Sequence, residues 1–416
     1  MDFSLSPQDQ AMVDRARELA KEFATRAKEY DDEASFPAKD FERLREEGFL
    51  KLTVPQELGG HGMWSGQRFL PMYMILEALA TGNASTAQLV QIQSHASGII
   101  AFLGNEEQKR RYLGEVVSRG VLIASCGSET DPRQAASSTG RAELVEVEGG
   151  FRLNATKFFA SLSPAADYYV VYVMAPGAKT MEEGYTTLVV SKDDPGVSLE
   201  NSWDVMGMRA TISWSLILKD VFVPWENVLG QPGDWVQHDP RTFTLAYCAN
   251  HLGTAQGVFD YMLDYLKQRP FLLNDDVNAY TVGEMDAALQ ATRTSMWYAA
   301  WLWEQGRYEE AEMASMRVLH TSKQTALMVT TKAFDVCGAR AAFRFMPLER
   351  AFRDVRTFSL HFRESAVLRM LTDANLGKPF HSKQKYGPKI GRQSWEGLAA
   401  AREEESKQPV KLDATL

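Results

Sequence analysis

The sequence predicts a mostly helical α+β protein with an N-terminal helical domain, a middle β-barrel or sandwich domain and a C-terminal four-helix bundle. Three observations support this prediction. Apolar residues recur at three- to four-residue spacing through residues 1–118. Short β-branched and aromatic runs replace that pattern over 119–232. Long helical periodicity returns over 233–381, as expected of a bundle, and residues 382–416 are predicted to be a tail.

The N-terminal helices begin with a clear capping signal. Ser6 can cap a helix, Pro7 suits the first helical position, and Asp9 complements the positive end of the helix dipole. Apolar residues then recur on one face of this helix as far as Phe23. Further helices are predicted over 41–50, 66–80, 85–103 and 106–117, with a loop at 55–60.

The middle domain is predicted from strand-length apolar runs separated by turn signals such as Gly149-Gly150. The predicted strands are 121–125, 143–147, 151–160, 168–174, 186–190 and 213–223. The bundle helices are predicted over 241–268, 282–305, 308–337 and 348–376. The tail carries Gly, Pro and many charges without periodicity. It either drapes over a neighbouring subunit or is partly disordered.

Composition excludes several classes of function. A chain of 416 residues with 45% apolar and 24% charged residues is an ordinary globular protein with more than one core. The net charge of −9, without a dense Lys/Arg cluster, argues against nucleic-acid binding. There is no basic, apolar leader and no apolar run of about 18 residues, so we expect a cytoplasmic protein that does not bind membranes. Cys126, Cys248 and Cys337 are far apart, which predicts packing roles, with no disulfide frame and no zinc site.

Several segments together carry a family resemblance. They are MGMR at 206–209, DVFVPWENVLG at 220–230, CGAR at 337–340 and PLERAFRDVR at 347–356. In this order of helices, β-domain and bundle, the chain resembles the acyl-CoA dehydrogenase superfamily over nearly its whole length. The resemblance implies a bound flavin, either FMN or FAD, and a homo-oligomer that is a tetramer or a dimer.

The resemblance also implies which residues contact the flavin. Phe159 corresponds to an aromatic residue beside the isoalloxazine ring, and Ser161 to a hydroxyl near its N5. Ser161 could instead merely complete a turn. Arg269 corresponds to an arginine on the flavin phosphate, since a guanidinium binds phosphate bidentately, or it is a helix-end cation. The remaining implied flavin contacts are Ser125, Ser128, Arg340, Arg353 and Arg356.

The base that an acyl-CoA dehydrogenase needs is missing from the expected positions. Removing the α-proton of a thioester requires a positioned carboxylate. Family members place this Glu either where Phe362 stands or close to the position of Phe243. The loop SCGSETDP at 125–132 also departs from the Thr-Glu-Pro pattern of the family, so thioester recognition is in doubt.

Histidines take the place of the missing carboxylate. His361, His95 and Ser161 resemble the site of the flavin-dependent monooxygenase branch, the dibenzothiophene monooxygenase-like enzymes. Oxygen activation needs hydrogen-bond donors and a group that titrates near neutral pH, and the ordinary pKa of imidazole is about 6.5. We therefore predict that His361 is an acid/base or peroxide-stabilising residue, His95 a second donor and Ser161 the N5-side partner. Each histidine could instead be a buried residue bonded to a carbonyl.

The leading hypothesis is a two-component monooxygenase that oxygenates a small organic substrate. No GxGxxG motif marks a nicotinamide site, so a separate flavin reductase is the expected partner. His251 and His320 lack a second ligand at helical spacing, and no metal site is expected. One alternative is an acyl-CoA or acyl-carrier-protein dehydrogenase with a non-standard base. The other is a non-catalytic subunit that pairs with an active relative.

Overall fold

The predicted three-part architecture is confirmed by a computed structural model, which describes residues 1–64, 68–129, 142–235 and 243–378. Helices come first, a domain of two β-sheets follows, and a helical bundle ends the described chain. The predicted tail at 382–416 lies outside the described residues.

The N-terminal domain contains seven α-helices within the described ranges. Ser6 caps the first one as predicted, since its side chain accepts a hydrogen bond from the Asp9 amide at 3.1 Å. The short second helix was not predicted, because its seven residues show little apolar periodicity. The predicted helix at 106–117 is divided by a π-turn at Lys109–Leu113. The helices are α1 Pro7–Ala24, α2 Ala27–Glu33, α3 Ala38–Glu46, α4 Leu70–Gly82, α5 Ala84–Leu103, α6 Glu106–Gln108 and α7 Gly114–Arg119.

The middle domain consists of two four-stranded sheets and one short helix, α8 Met181–Gly184. One sheet has the order β1-β4-β5-β8, with β1 and β4 parallel, and the other has the antiparallel order β2-β3-β7-β6. The short strands β6 and β8 were not predicted. The strands are β1 Ile123–Cys126, β2 Glu143–Val147, β3 Gly150–Ala160, β4 Tyr168–Met174, β5 Tyr185–Ser191, β6 Val197–Glu200, β7 Trp214–Pro224 and β8 Val228–Leu229.

The C-terminal bundle differs from prediction at its end. The single helix predicted over 348–376 is wrong, because the chain forms two helices with a turn at 359–363. The Ser359 side chain bonds to the Arg356 carbonyl, which competes with helix continuation, while apolar residues keep helical spacing across the break. The helices are α9 Phe243–Lys267, α10 Pro270–Leu273, α11 Asp276–Glu304, α12 Tyr308–Cys337, α13 Pro347–Phe358 and α14 Glu364–Asn375.

The N-terminal domain and the bundle meet through closely packed backbones. A Cβ atom at Gly253 of α9 would lie 2.1 Å from the Glu77 carbonyl oxygen of α4, so only glycine permits this approach. The next helix in sequence, α5, is buried at every residue except Phe102. It therefore runs through the centre of the molecule. None of the described helices is long and apolar enough to cross a membrane.

A clasp of charged side chains joins the middle domain to the bundle. Arg353 of α13 uses all five of its N–H bonds: three go to Asp31 and to the Met206 carbonyl, and two go to Glu349. Its partner Asp31 is buried. The clasp thus fixes the segment before Gly207 against both α2 and α13.

Replacing Arg353 by lysine should destabilise the protein by about 2–4 kcal/mol, because an ammonium cannot satisfy both carboxylates and the carbonyl. The measurement is the thermal unfolding midpoint of the flavin-free protein. Arg356→Lys, one turn away and exposed, is the matched control and should change stability by less than about 0.5 kcal/mol. Equal midpoints for Arg353→Lys and the wild type would contradict the clasp.

Candidate active site

Strand β3 ends in a bulge that turns an aromatic side chain outward. Its pairing with β7 shifts register between Lys157 and Ala160, and Phe159 adopts a φ of +56°. A bulky residue rarely adopts this conformation, so the bulge stores backbone strain. The Phe159 side chain is 47% exposed and meets the Trp203 ring edge-on at 6.1 Å. The bulge thus presents an open aromatic face.

Ser161, just beyond the bulge, belongs to a chain of hydroxyl groups. Its Oγ lies 2.7 Å from the Ser213 Oγ, which lies 2.8 Å from the Thr211 Oγ1. Thr211 donates to the Met208 carbonyl, so the chain ends on the backbone. Ser161 is buried two residues after Phe159, and its hydroxyl is held in a defined position by the bond to Ser213.

The loop after β1 is bound to strand β3 by a hydrogen bond and an ion pair. The carbonyl of the exposed residue Ser128 accepts a hydrogen bond from the Phe158 amide at 2.8 Å. Glu129 pairs with the fully buried Lys157, which also donates to the Tyr172 carbonyl at 2.6 Å. Burial lowers the pKa of Lys157. These contacts hold Ser128 one strand position from the bulge, and the loop residues from 130 onward lie outside the described range.

His95 and Ser125, predicted separately, are brought together by the structure. The His95 Nδ1 lies 3.1 Å from the Ser125 Oγ, and that hydroxyl lies 3.0 Å from the Tyr172 hydroxyl. Trp64 covers the imidazole, with ring centroids 5.7 Å apart. Tyr172 was missed by the sequence analysis because its place in the apolar strand β4 predicts a core residue. On its other side Tyr172 stacks on Tyr185 at 5.8 Å.

Burial decides the charge of His95. Only 4% of the residue is exposed, and desolvation lowers the pKa of His95 to about 3. A group with so low a pKa does not change its charge near neutral pH, so the predicted role of His95 as a hydrogen-bonding group concerns the neutral imidazole. His95 is a neutral imidazole, and one hydrogen bond joins its Nδ1 to the Ser125 hydroxyl.

His361 lies in the turn between α13 and α14. Its Nδ1 is 3.2 Å from the Phe358 carbonyl oxygen, which requires the proton on Nδ1 and leaves a lone pair on Nε2. The ring packs against Tyr247 at 4.8 Å and Phe358 at 4.9 Å, and Phe362 meets Tyr247 edge-on at 5.0 Å. Desolvation lowers the pKa of His361, although the residue is exposed on its other side.

A small, mainly apolar cavity of about 20 Å³ lies behind this turn. His251, one of its lining residues, is buried, and desolvation lowers the pKa of His251 to about 3. Glu364, also at the cavity, lies 2.9 Å from His320 and 3.2 Å from Lys323. Burial raises the pKa of Glu364, but the hydrogen bonds from Lys323 and Gln324 outweigh it, so the pKa is lowered.

The arginines that were predicted to contact the flavin have different surroundings. Arg353 has no N–H left outside the clasp, which argues against its predicted flavin contact. Arg269 stacks on Tyr265 at 3.5 Å and donates once to the Tyr265 carbonyl. Arg340 and Arg356 are exposed. Arg269, Arg340 and Arg356 therefore keep N–H groups available for an anion.

Comparison with known proteins agrees with this architecture. Family models match at residues 6–120 for the N-terminal domain of acyl-CoA dehydrogenases, 126–221 for the middle domain and 245–365 for the C-terminal domain. YdbM of Bacillus subtilis, a protein named as an acyl-CoA dehydrogenase, is 30% identical over 385 residues. The match covers 85% of this chain and 93% of YdbM.

Solved structures of a monooxygenase, TdsC, and of an acyl-CoA dehydrogenase share the fold. FMN-bound TdsC from Paenibacillus sp. A11-2 aligns with a TM-score of 0.80 at 23% identity, covering 91% of this chain and 100% of TdsC. Butyryl-CoA dehydrogenase from Megasphaera elsdenii aligns with a TM-score of 0.81 at 23% identity, covering 90% of this chain and 100% of the enzyme. At this identity the two likenesses concern the fold alone. Within the described residues, no group of three His, Cys, Asp or Glu side chains could hold a metal ion.

The buried histidine predicts acid sensitivity. The unfolded imidazole binds a proton below its ordinary pKa of about 6.5, whereas folded His95 does so only near pH 3. Stability should therefore fall as the pH drops from about 6.5, by up to about 1.4 kcal/mol per pH unit for this residue. In urea unfolding, His95→Gln should lose about 2 kcal/mol less than the wild type between pH 7.5 and 5.0.

Ser125→Ala is the control for this experiment, because it removes the hydrogen-bond partner but keeps the buried imidazole. It should retain the wild-type pH dependence. Equal losses of stability in His95→Gln and the wild type would show that His95 does not remain neutral on folding.

Proposed function

This chain belongs to the acyl-CoA dehydrogenase family, and on that premise we propose that it is an oxidoreductase whose flavin ring lies against Phe159. A flavin ring is flat and apolar on its faces and forms hydrogen bonds at its edge. The exposed face of Phe159 and the fixed hydroxyl of Ser161 suit these two requirements. TdsC, which has the same fold, binds FMN.

The other flavin contacts follow from the same arrangement. Ser125 and Ser128 lie on β1 and on the loop fastened to β3, where their polar groups can meet the edge of the ring. Arg269 and Arg340 are the proposed phosphate ligands, with Arg356 as a further candidate, for either FMN or FAD. When bound, the flavin supplies two-electron redox chemistry and, in its reduced form, reactivity towards oxygen.

We further propose that the reaction is a monooxygenation, and the packing at the turn of residues 359–363 is the observation that supports it. The groups packed against Tyr247 at this turn are Phe358, His361 and Phe362, and none is a carboxylate. The carboxylate at the neighbouring cavity, Glu364, is paired with Lys323, and its pKa is lowered. It is therefore a poor candidate for the base that thioester oxidation requires.

The two histidines have separate proposed roles. His361 presents the Nε2 lone pair, because its Nδ1 proton is bonded to the Phe358 carbonyl. This lone pair can accept a proton from an acidic group and return it, and desolvation lowers the pKa of His361, so the imidazole is neutral when it does so. His95 is proposed to orient the Ser125 hydroxyl, and Trp64 limits the access of water to this pair.

A monooxygenation needs a source of electrons besides the substrate. One atom of O₂ enters the substrate and the other leaves as water, which consumes two electrons and two protons. The electrons are those of the reduced flavin, and we propose that a separate reductase supplies it.

A dehydrogenase of acyl thioesters is the second candidate, and the relatives favour it. YdbM, 30% identical over most of both chains, is named as an acyl-CoA dehydrogenase. In this chain such an enzyme would need a base other than a carboxylate at the turn. At the turn, the group with a lone pair available for this role is His361 Nε2.

The two candidates differ in how the flavin-loaded protein responds to oxygen and to thioesters. We expect the photoreduced holoprotein to reoxidise within seconds in air-saturated buffer, and butyryl-CoA to leave the oxidised flavin absorbance unchanged under anaerobic conditions. With indole as a probe, ¹⁸O₂ should label the product.

Anaerobic bleaching of the flavin by butyryl-CoA, or a reduced flavin that persists in air, would reject the monooxygenase in favour of the dehydrogenase.

A variant of His361 tests the role of this residue. His320→Gln, which alters the far side of the cavity, is its control and should leave reoxidation of the flavin unchanged. His361→Phe should keep the flavin and lower the yield of labelled product at least about tenfold.

A further inference from the structure

Helix α5 carries two glutamines whose side chains have no hydrogen-bond partner. Gln88 and Gln91 are each 1% exposed, and neither the nitrogen nor the oxygen of either amide is bonded within the described part of the chain. The Ser94 hydroxyl is in the same condition. Such groups are rare in folded proteins, because a buried amide without a partner loses its bonds to water and gains nothing in return.

The two glutamines share a face of the helix with His95. Residues 88, 91 and 95 follow the spacing i, i+3 and i+7, which aligns their side chains along one stripe. His95 is the residue that the site analysis places against Ser125. The stripe is thus a continuation of the candidate active site by two helical turns towards Ala84.

The same helix contains a third buried glutamine, Gln93, whose side chain does form hydrogen bonds. Gln93 points away from the stripe, and its oxygen accepts from the Ile123 amide at 2.7 Å. Its nitrogen lies 3.4 Å from the carbonyl oxygens of Leu50 and Val121. Because the fold satisfies this buried amide fully, the unsatisfied amides of Gln88 and Gln91 need another explanation.

We propose that Gln88 and Gln91 bind the substrate of this site, and that the substrate carries adjacent hydrogen-bond donors and acceptors. A small amide, a lactam or a ring with amino and hydroxyl groups has this chemistry. This inference rests on the proposed function, since it specifies the substrate class of that site. Each glutamine offers two N–H donors and a carbonyl acceptor, so the pair can bind both kinds of group. A hydrocarbon substrate would leave these donors and acceptors unpaired, so we expect it to bind more weakly.

Stability gives the first test, on the flavin-loaded protein without any substrate. Replacing both residues in Gln88→Leu/Gln91→Leu removes the unsatisfied groups, so the thermal midpoint should rise by at least about 2 °C. Gln93→Leu is the matched control and should lower it, since three backbone groups lose their partner. The single variant Gln91→Met, unbranched and of similar length, should also be at least as stable as the wild type.

Ligand binding gives the second test, through the shift of the thermal midpoint with matched probes. Benzamide is compared with its hydrocarbon isostere α-methylstyrene, and 2-piperidone with methylenecyclohexane. We expect the polar member of each pair to stabilise the wild type, and its affinity to fall at least about tenfold in the double leucine variant. No turnover is needed, so this result is independent of whether the flavin reacts with oxygen.

Three outcomes would overturn the proposal. The first is a loss of stability in both Gln91→Met and the double leucine variant comparable to that of Gln93→Leu, which would make the amides structural. The second is a wild type that neither polar probe stabilises, in which case the amides hold only water. The third is a larger shift with the hydrocarbon members of the pairs.

Discussion

The hydrogen bonds of Gln93 are the interaction on which the arrangement of this site depends. The side chain joins the central helix α5 to the backbone at Leu50, Val121 and Ile123. It thereby fixes the register between α5 and β1, and this register brings Ser125 of β1 to His95 of α5. At the other end of α5, Asn250 of the bundle donates to the Ala84 carbonyl at 2.9 Å. One buried helix is thus held by both neighbouring domains, and the candidate site lies along it.

Polar groups on this helix fall into two classes with different physical roles. Gln93 is fully bonded and stabilises the domain arrangement, whereas Gln88 and Gln91 are buried without partners and destabilise the flavin-free fold. The strained φ of Phe159 is a second cost in the same region. Both costs are typical of sites whose groups are arranged for a ligand, and the packing of α5 against α4, α9 and β1 offsets the first of them.

Much of the fold could be predicted from the sequence, because long periodic helices and alternating strands leave direct traces in it. The break at 359–363 could not, since apolar spacing continues through it and only the Ser359 side chain opposes the helix. In the site, the positions of His95, His361 and Phe159 were predicted through the family resemblance. The clasp of Arg353, the partnership of Tyr172 with Ser125 and the neutral state of His95 depend on contacts between distant segments. No local pattern encodes such contacts.

Among the described residues, the turn after α13 packs two phenyl rings and an imidazole against Tyr247, and the proposed monooxygenase rests on the lack of a carboxylate among these three groups. The most direct test is exchange of the α-hydrogens of butyryl-CoA in D₂O with the oxidised holoprotein under anaerobic conditions, followed by mass spectrometry. A site without a base for carbon acids should incorporate no deuterium above the rate without protein. Incorporation at the α-carbon would show that a group in the site removes that proton, and the proposed monooxygenase would then be wrong.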